Sequence, residues 1–449
     1  MRVLVCAFAC SPVGCRGLGD GEAVLGWNIL KQIARFHEVY VLTHPWNREG
    51  IEEAIRSSNL NINACYFDAP RGVTFLRRMQ GAFQIYAYLW QLKAYFLALR
   101  LHRERPFDLF HHVTYANDWM ASFIGALLPV PYLRGPCGGA QQVPRAFLAG
   151  FSRRGCFWER VRSIGQQVLR HDPFFILSQR RARAILVCTP EALNTIPERW
   201  RNKAQLFPVN GITTEDLCLT ERNGHSDSPA RMRPHDKLDS NGTPKPFRVL
   251  SAGKLLELKA FDLTIRAFQR FAQLAPDTTF TLIGDGPEFV RLERLVQGLG
   301  LGGKVQIEKW MPREELLRTM AQSDVFLFAS LRDGGGAVVI EAMAAGNPVV
   351  CLDHAGPAMH VTEECGLKVV PRNPDQAVKE MAEALFRLYR DTGLRLRMGR
   401  AARERAEQVY HWNRQGDRLL HIYQHALGLA PQASPNGVEF GQSIVSKNA

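Results

Sequence analysis

The feature that most constrains this chain is an alternation of short apolar runs, several closed by glycine-containing turns, with longer stretches whose apolar residues recur at helical spacing. It is clearest in the second half. Arg248–Ala252, Thr279–Ile283, Val305–Ile307, Val325–Phe328 and Val349–Leu352 read as strands, while Ala260–Leu274, Glu288–Leu299, Arg313–Ser323 and Ala337–Ala345 read as the helices between them. Strands that are apolar on both sides and separated by helices imply a parallel sheet covered on both faces. The first half carries the same rhythm at wider spacing: Val3–Phe8, a helix through Trp27–Ala34, Val39–Leu42, Leu109–His112, Tyr132–Leu133 and Ile185–Cys188.

At 449 residues the chain is too long for one α/β core and fits two domains. Between Leu219 and Pro246 the composition turns polar and rich in Pro, Gly, Ser and Asn, which marks the boundary. The expected division is an N-terminal, acceptor-side domain (1–218), a linker or disordered insertion (219–246), a second domain (247–410), a C-terminal helix returning to the first domain (411–430) and a disordered tail (431–449).

The ten cysteines are scattered with no CxxC pair, which argues against a zinc site or a disulfide framework and suits a reducing, cytoplasmic setting. The opening MRVLVCAF reads as a buried strand rather than a signal peptide. A net charge of +13, from 56 basic and 43 acidic residues, favours anionic partners. No nucleic-acid-binding signature accompanies the charge, so an anionic substrate or membrane surface is the better expectation. Arg134, Arg145, Arg153 and Arg154 are candidates to meet such a partner. Ala82–Leu101 approaches a membrane span in length, but a central Lys and a terminal Arg argue against spanning. It reads as an amphipathic helix, either packed on the core or lying on a bilayer.

Ligands of open parallel sheets sit beyond the carboxyl ends of strands, where glycine turns lead into helices. The second half offers three such turns: Gly253-Lys254, Gly284-Asp285-Gly286, and Asp333-Gly334-Gly335-Gly336 leading into the helix that bears Glu341. Glycine lets a ligand approach the backbone, and a helix N-terminus offers free N–H groups to an anion. Three such turns with Lys254 and Lys259 nearby point to a diphosphate.

These same residues carry a resemblance. Gly253-Lys254-Leu255 with Lys259-Ala260, Ile283 to Pro287, Ser323-Asp324-Val325, and Ser330 to Gly336 followed by Ile340-Glu341-Ala342-Met343-Ala344 and Gly346 to Val350 resemble glycosyltransferase family 4, in its bacterial polysaccharide-type branch. The resemblance is strong over residues 248–371 and weaker around Cys10-Ser11-Pro12, His111 to Thr114, Gly135-Pro136 and Pro208 to Ile212. It implies a GT-B fold: two Rossmann-like, doubly wound parallel-sheet domains facing across a cleft. It further implies a retaining transferase in which Glu341 binds the donor ribose, Asp333 touches the sugar hydroxyls, and Gly334, Gly335, Gly336, Gly253, Gly284 and Gly286 line the donor. Lys254 and Lys259 would neutralise the diphosphate, His112 (rather than His111) would face the sugar, and Gly21 and Glu22 would reach the acceptor or diphosphate. The chain departs from the family pattern at Asp333, where Glu is usual, at Gly335, where an aromatic residue is usual, and at Lys254, where Arg is usual.

The implied partners are a nucleotide-diphosphate sugar and a saccharide or lipid-linked acceptor in cell-surface polysaccharide or glycolipid synthesis. Peripheral contact with an anionic inner membrane face is expected, with no nucleic acid, no cofactor and no essential metal. The competing reading is a catalytically weak GT-B homologue serving as a binding or partner subunit, and its support is the pair of departures at Asp333 and Gly335.

Overall fold

The computed structural model describes residues 1–13, 20–58, 60–79, 83–220 and 246–430. Nearly all of the expected linker and the whole of the expected tail lie outside the described residues. Two parallel sheets organise the rest. The first has seven strands in the order β3-β2-β1-β4-β5-β6-β7: β1 Arg2–Ala7, β2 Glu38–Thr43, β3 Ile62–Tyr66, β4 Leu109–Thr114, β5 Tyr132–Cys137, β6 Ala184–Val187 and β7 Ala204–Leu206. The second has six in the order β10-β9-β8-β11-β12-β13: β8 Phe247–Ala252, β9 Thr278–Ile283, β10 Val305–Glu308, β11 Val325–Phe328, β12 Val349–Leu352 and β13 Gly366–Val369. In each sheet the order reverses beside the first strand, at β1/β4 and at β8/β11, and that reversal opens the crevice in which such folds bind ligands.

Each sheet is buried on both faces, as the apolar strands require. Val249, Leu250, Phe326, Leu327, Val349 and Val350 are all within the second core. Around the first sheet the two faces fill separately, Leu4, Phe8, Trp90 and Tyr132 on one side, Val3, Val5, Leu30 and Val41 on the other. The long apolar stretch forms the helix Phe83–Glu104, which buries Tyr86, Trp90, Ala94 and Ala98 at four-residue spacing against the first face. The helix is thus packed on the core by one face, while Ile85, Leu92 and Phe96 are exposed on the rest of its surface. Among the described residues no helix is long and apolar enough to cross a membrane.

The final helix, Trp412–Leu427, lies against the second face of the first sheet, where Trp412, Leu419, Ile422 and Tyr423 join the core of β1, β2 and β4. The chain therefore crosses between the domains twice, and the crossings touch. The Ile212 amide donates to the Tyr410 carbonyl at 3.0 Å, and the Trp412 amide donates to the Ile212 carbonyl at 3.0 Å.

Several histidines are folded into these cores as neutral rings. Burial lowers His44, His111 and His360 to about 4 from an ordinary 6.5. The native state therefore resists protons that the unfolded chain takes up below pH 6.5, so stability is full above that pH and falls as pH drops towards 4. Urea unfolding at pH 7, 6 and 5 is expected to show a progressive loss, up to ~1.4 kcal/mol per pH unit for each such ring. A flat profile would contradict it.

Candidate donor site

The three glycine turns of the second domain meet at the carboxyl ends of β8, β9 and β11, beside the strand reversal. Their backbones are knitted to one another. Gly253 N donates to Ile283 O at 2.9 Å, Leu255 N to Asp285 O at 2.8 Å, and Leu331 N to Leu258 O at 2.9 Å. Gly286, at φ 154°, occupies backbone space that L side chains rarely adopt, and a Cβ there would run into the Leu255 carbonyl.

Asp333 organises the loop after β11. One carboxylate oxygen accepts the amides of Gly335 at 3.1 Å and Gly336 at 2.8 Å, at the entrance to the helix Ala337–Ala344, while the other is ion-paired with Lys259. Burial pushes this carboxyl up, but the Lys259 ammonium and the two amides outweigh it and hold it below its ordinary value. Lys259 also lies over the Phe328 ring, 5.4 Å from its centre. Lys254 is exposed, and no side-chain partner is seen for it among the described residues. One of the two candidate diphosphate lysines is thus open to solvent, and the other is held by the acid beside it.

Glu341 lies one helical face further in. Its Oε1 accepts from Arg313 Nε at 2.8 Å, and the rest of the Arg313 fork grips Asp216. Burial raises the Glu341 carboxyl and Arg313 pulls it back, leaving it above the ordinary value. Gly335 is held from behind by His360, whose Nε2 lies 2.9 Å from the Gly335 carbonyl and whose Nδ1 lies 3.0 Å from the Tyr410 hydroxyl. The neutral ring donates to the carbonyl through Nε2 and accepts from the phenol. Neither Arg313 nor His360 was singled out from sequence. Their partners lie 28 and 25 residues away, beyond any local motif.

The first domain closes on this turn. A Cβ at Gly335 would overlap the Asn210 amide and lie 2.9 Å from Val209, so glycine is the residue that admits the loop 208–211. At Gly334, Gln141 and Cys188 come within 3.5 Å of a Cβ position. Gly21 opens the helix Asp20–Ala34 and is exposed with space around it, whereas Glu22 accepts the Tyr115 amide at 2.7 Å and is pushed up by burial.

Two expectations for the first domain need correction. His112 does not open on the cleft: its ring is 1% exposed and stacks beside Phe110 on one core face. His111 is spent on the other face, between the Tyr423 hydroxyl at 2.7 Å and the Gly135 carbonyl at 2.6 Å. The cause is that β4 is a central strand covered on both sides, so adjacent residues enter two different cores. Arg134 is likewise unavailable to a ligand, being buried with its guanidinium on Ser178 Oγ and the Met120 and Asn117 carbonyls.

Comparison with known proteins bears on this arrangement. Residues 234–405 match the family described as "Glycosyl transferases group 1". The alpha-D-kanosaminyltransferase of Streptomyces kanamyceticus is 29% identical over 250 residues, covering 55% of this chain and 61% of that protein. The chain spans less than two thirds of the length of the first curated relatives it matches. Among solved structures, a glycosyltransferase from Rickettsia africae superposes with a TM-score of 0.63 at 14% identity, covering 96% of this chain and 99% of that one. HepE from Anabaena, solved with UDP, superposes with a TM-score of 0.60 at 16% identity over 94% of this chain and 100% of that one. The chain has the two-domain GT-B architecture, and over residues 234–405 it is matched by the group 1 glycosyltransferase family.

Proposed function

We propose that the chain is a retaining glycosyltransferase that moves a sugar from a nucleoside diphosphate sugar to a saccharide or lipid-linked acceptor in cell-surface polysaccharide or glycolipid synthesis. The observation that carries this reading is the Asp333–Gly336 turn at the strand reversal, with Lys259 on its acid and Glu341 beneath it. The family match over residues 234–405 and the transferases among the relatives support it.

In this reading Glu341 receives the ribose hydroxyls, Arg313 opposing the upward push of burial on the carboxyl. The Gly334 amide and the N-terminus of the helix Ala337–Ala344 face the sugar and phosphate oxygens, while the Gly335 and Gly336 amides stay on Asp333. The bond from the anomeric carbon to the diphosphate oxygen breaks, and a bond to the acceptor hydroxyl oxygen forms on the same face. The departing phosphate oxygen takes the hydroxyl proton. Lys254 and Lys259 stabilise the charge that builds on the diphosphate. To do so Lys259 shares its charge between Asp333 and the leaving group, and Asp333 is freed to accept from a sugar hydroxyl.

Thermal stabilisation by UDP-, GDP- and ADP-sugars tests the donor assignment. One nucleotide family is expected to stabilise the protein, and Glu341→Ala to weaken that binding roughly 10–100-fold, as expected for a lost hydrogen-bonding carboxylate. No response to any donor by the folded protein would overturn the reading.

The cytoplasmic, membrane-peripheral placement belongs to the same proposal. The helix Arg153–Leu169 exposes Phe157 (59%), Ile164 (61%) and Val168 (65%) on one face, a stripe suited to an interfacial position. Flotation with anionic vesicles is expected, and Ile164→Asp together with Val168→Asp should abolish it. Unchanged flotation would remove the stripe from the proposal.

A further inference from the structure

A cavity of about 1110 Å³ opens in the first domain between the loop 140–151 and the helix Arg153–Leu169. The helix lines it with positions 153, 156, 160, 163 and 167, and Arg170 follows just past its end. Steps of three and four place these residues on a single helical face. Three arginines of that row, Arg153, Arg160 and Arg170, share the lining with Arg145, Phe151 and Phe157.

The charge there is not balanced. The cavity's one carboxylate, Glu159, is already ion-paired with Arg332 and lies 3.7 Å from Arg162. None of the four lining arginines lies within ion-pairing distance of a carboxylate among the described residues, although Arg170 also borders Asp118 across a second cavity of about 260 Å³. Guanidinium groups converging on a concave, partly apolar space raise the local potential, and several planar forks suit one multi-oxygen anion better than a neutral sugar.

The cavity also adjoins the donor turn. Arg332, held by Glu159, immediately precedes Asp333, and the Gln142 carbonyl on the cavity wall lies 3.0 Å from His354 Nε2 of the second domain.

Resting on the glycosyltransferase reading, we infer that this cavity is the acceptor site and that the acceptor carries a phosphate group gripped by Arg145, Arg153, Arg160 and Arg170. The phosphate belongs either to a lipid headgroup or to a soluble sugar phosphate, and Phe151 and Phe157 cover the apolar or ring portion next to it.

The test is titration of the full chain with inorganic pyrophosphate, which offers the same oxygen chemistry, in four proteins: unmodified, Lys259→Gln, Arg153→Gln/Arg160→Gln, and Arg145→Gln/Arg170→Gln. Lys259→Gln isolates the donor site, so binding that survives in it reports the cavity. Each double variant, made also in the Lys259→Gln background, is expected to weaken that surviving binding about tenfold or more and, with Lys259 present, to leave donor stabilisation intact. The two pairs guard against one of them failing to fold. Loss in Lys259→Gln alone, with both arginine pairs indifferent, would overturn the inference and leave the donor reading standing. Absence of donor stabilisation with the arginine effect retained would instead sink the donor reading. Flotation with phosphatidylcholine vesicles containing phosphatidic acid, lost in the double variants, assigns the phosphate to lipid. Binding of glucose 1-phosphate without flotation assigns it to a soluble acceptor.

Discussion

Asp333→Ala is expected to destabilise the protein by about 3 kcal/mol or more and to remove donor binding. Two losses combine. The pair with Lys259 is mostly enclosed, with side chains 18% and 14% exposed, so deleting one partner leaves a charge facing the space the other filled. Breaking a buried pair costs about 3–5 kcal/mol and leaving the Gly335 and Gly336 amides without their acceptor about 1 kcal/mol more, with some relief from residual solvent at this site. Asp333→Asn keeps an oxygen for the Gly335 and Gly336 amides but not the charge, so it should recover only the share that belongs to those turn hydrogen bonds. Because the carboxyl sits below its ordinary 3.8, its stabilisation is complete above that pH and fades as pH falls through the lower folded value. The gap between the unmodified protein and Asp333→Ala in urea unfolding is therefore expected to be constant from pH 7 to 5 and to narrow below 4. Equal stability of the two proteins at pH 7 would refute this account of the turn.

Gly284→Ala is expected to be the most damaging single methyl in the second domain. The missing Cβ points at the Gly253 carbonyl oxygen, closer than any real Cβ can approach, with the Gly253 carbon at 3.1 Å behind it. That oxygen cannot swing aside as a side chain would, since the flanking Gly253 amide is bonded to Ile283 and the Gly284 amide to Glu308 at 2.9 Å each. The turns after β8 and β9 must separate, at a cost of at least ~2–3 kcal/mol. Donor stabilisation should fall with it. Gly21→Ala is the matched control: a Cβ at Gly21 meets nothing within 4 Å, so its effect is expected to stay within about 0.5 kcal/mol. Thermal melts of the two variants, read side by side, check the contrast.

The parts of the fold legible from sequence were the central strands. β11 and β12 are apolar throughout, β8 and β9 run into glycine turns, and the expected strands fall within a residue or two of all four. The strands that escaped notice, β3, β7 and β13, lie at or beside sheet edges. Tyr66 and Ala204 there are only partly covered and Lys368 is exposed, so the sequence lacks the continuous apolar run. At the site, the glycine turns, Asp333 and Glu341 carry local patterns and could be found. Their partners could not. Arg313 reaches Asp216 across 97 residues and Glu341 across 28, and His360 reaches the Gly335 carbonyl from a different helix. The choice between His111 and His112 failed for a related reason: strand alternation says that the two diverge, but not that both faces of β4 are sealed.

The last helix has a consequence for how the molecule is made. Tyr423 caps His111 across 312 residues of sequence, and Trp412, Leu419 and Ile422 fill the same face of β1 and β2. During synthesis the first sheet emerges with that face bare. At about 5–20 residues per second it waits on the order of 15–60 s for its cover. The second domain, whose strands and helices are all local to residues 247–410, has the means to fold in the meantime. The first domain, although translated first, is completed last, and its exposed face over that interval is the part of this protein with the greatest need of a chaperone.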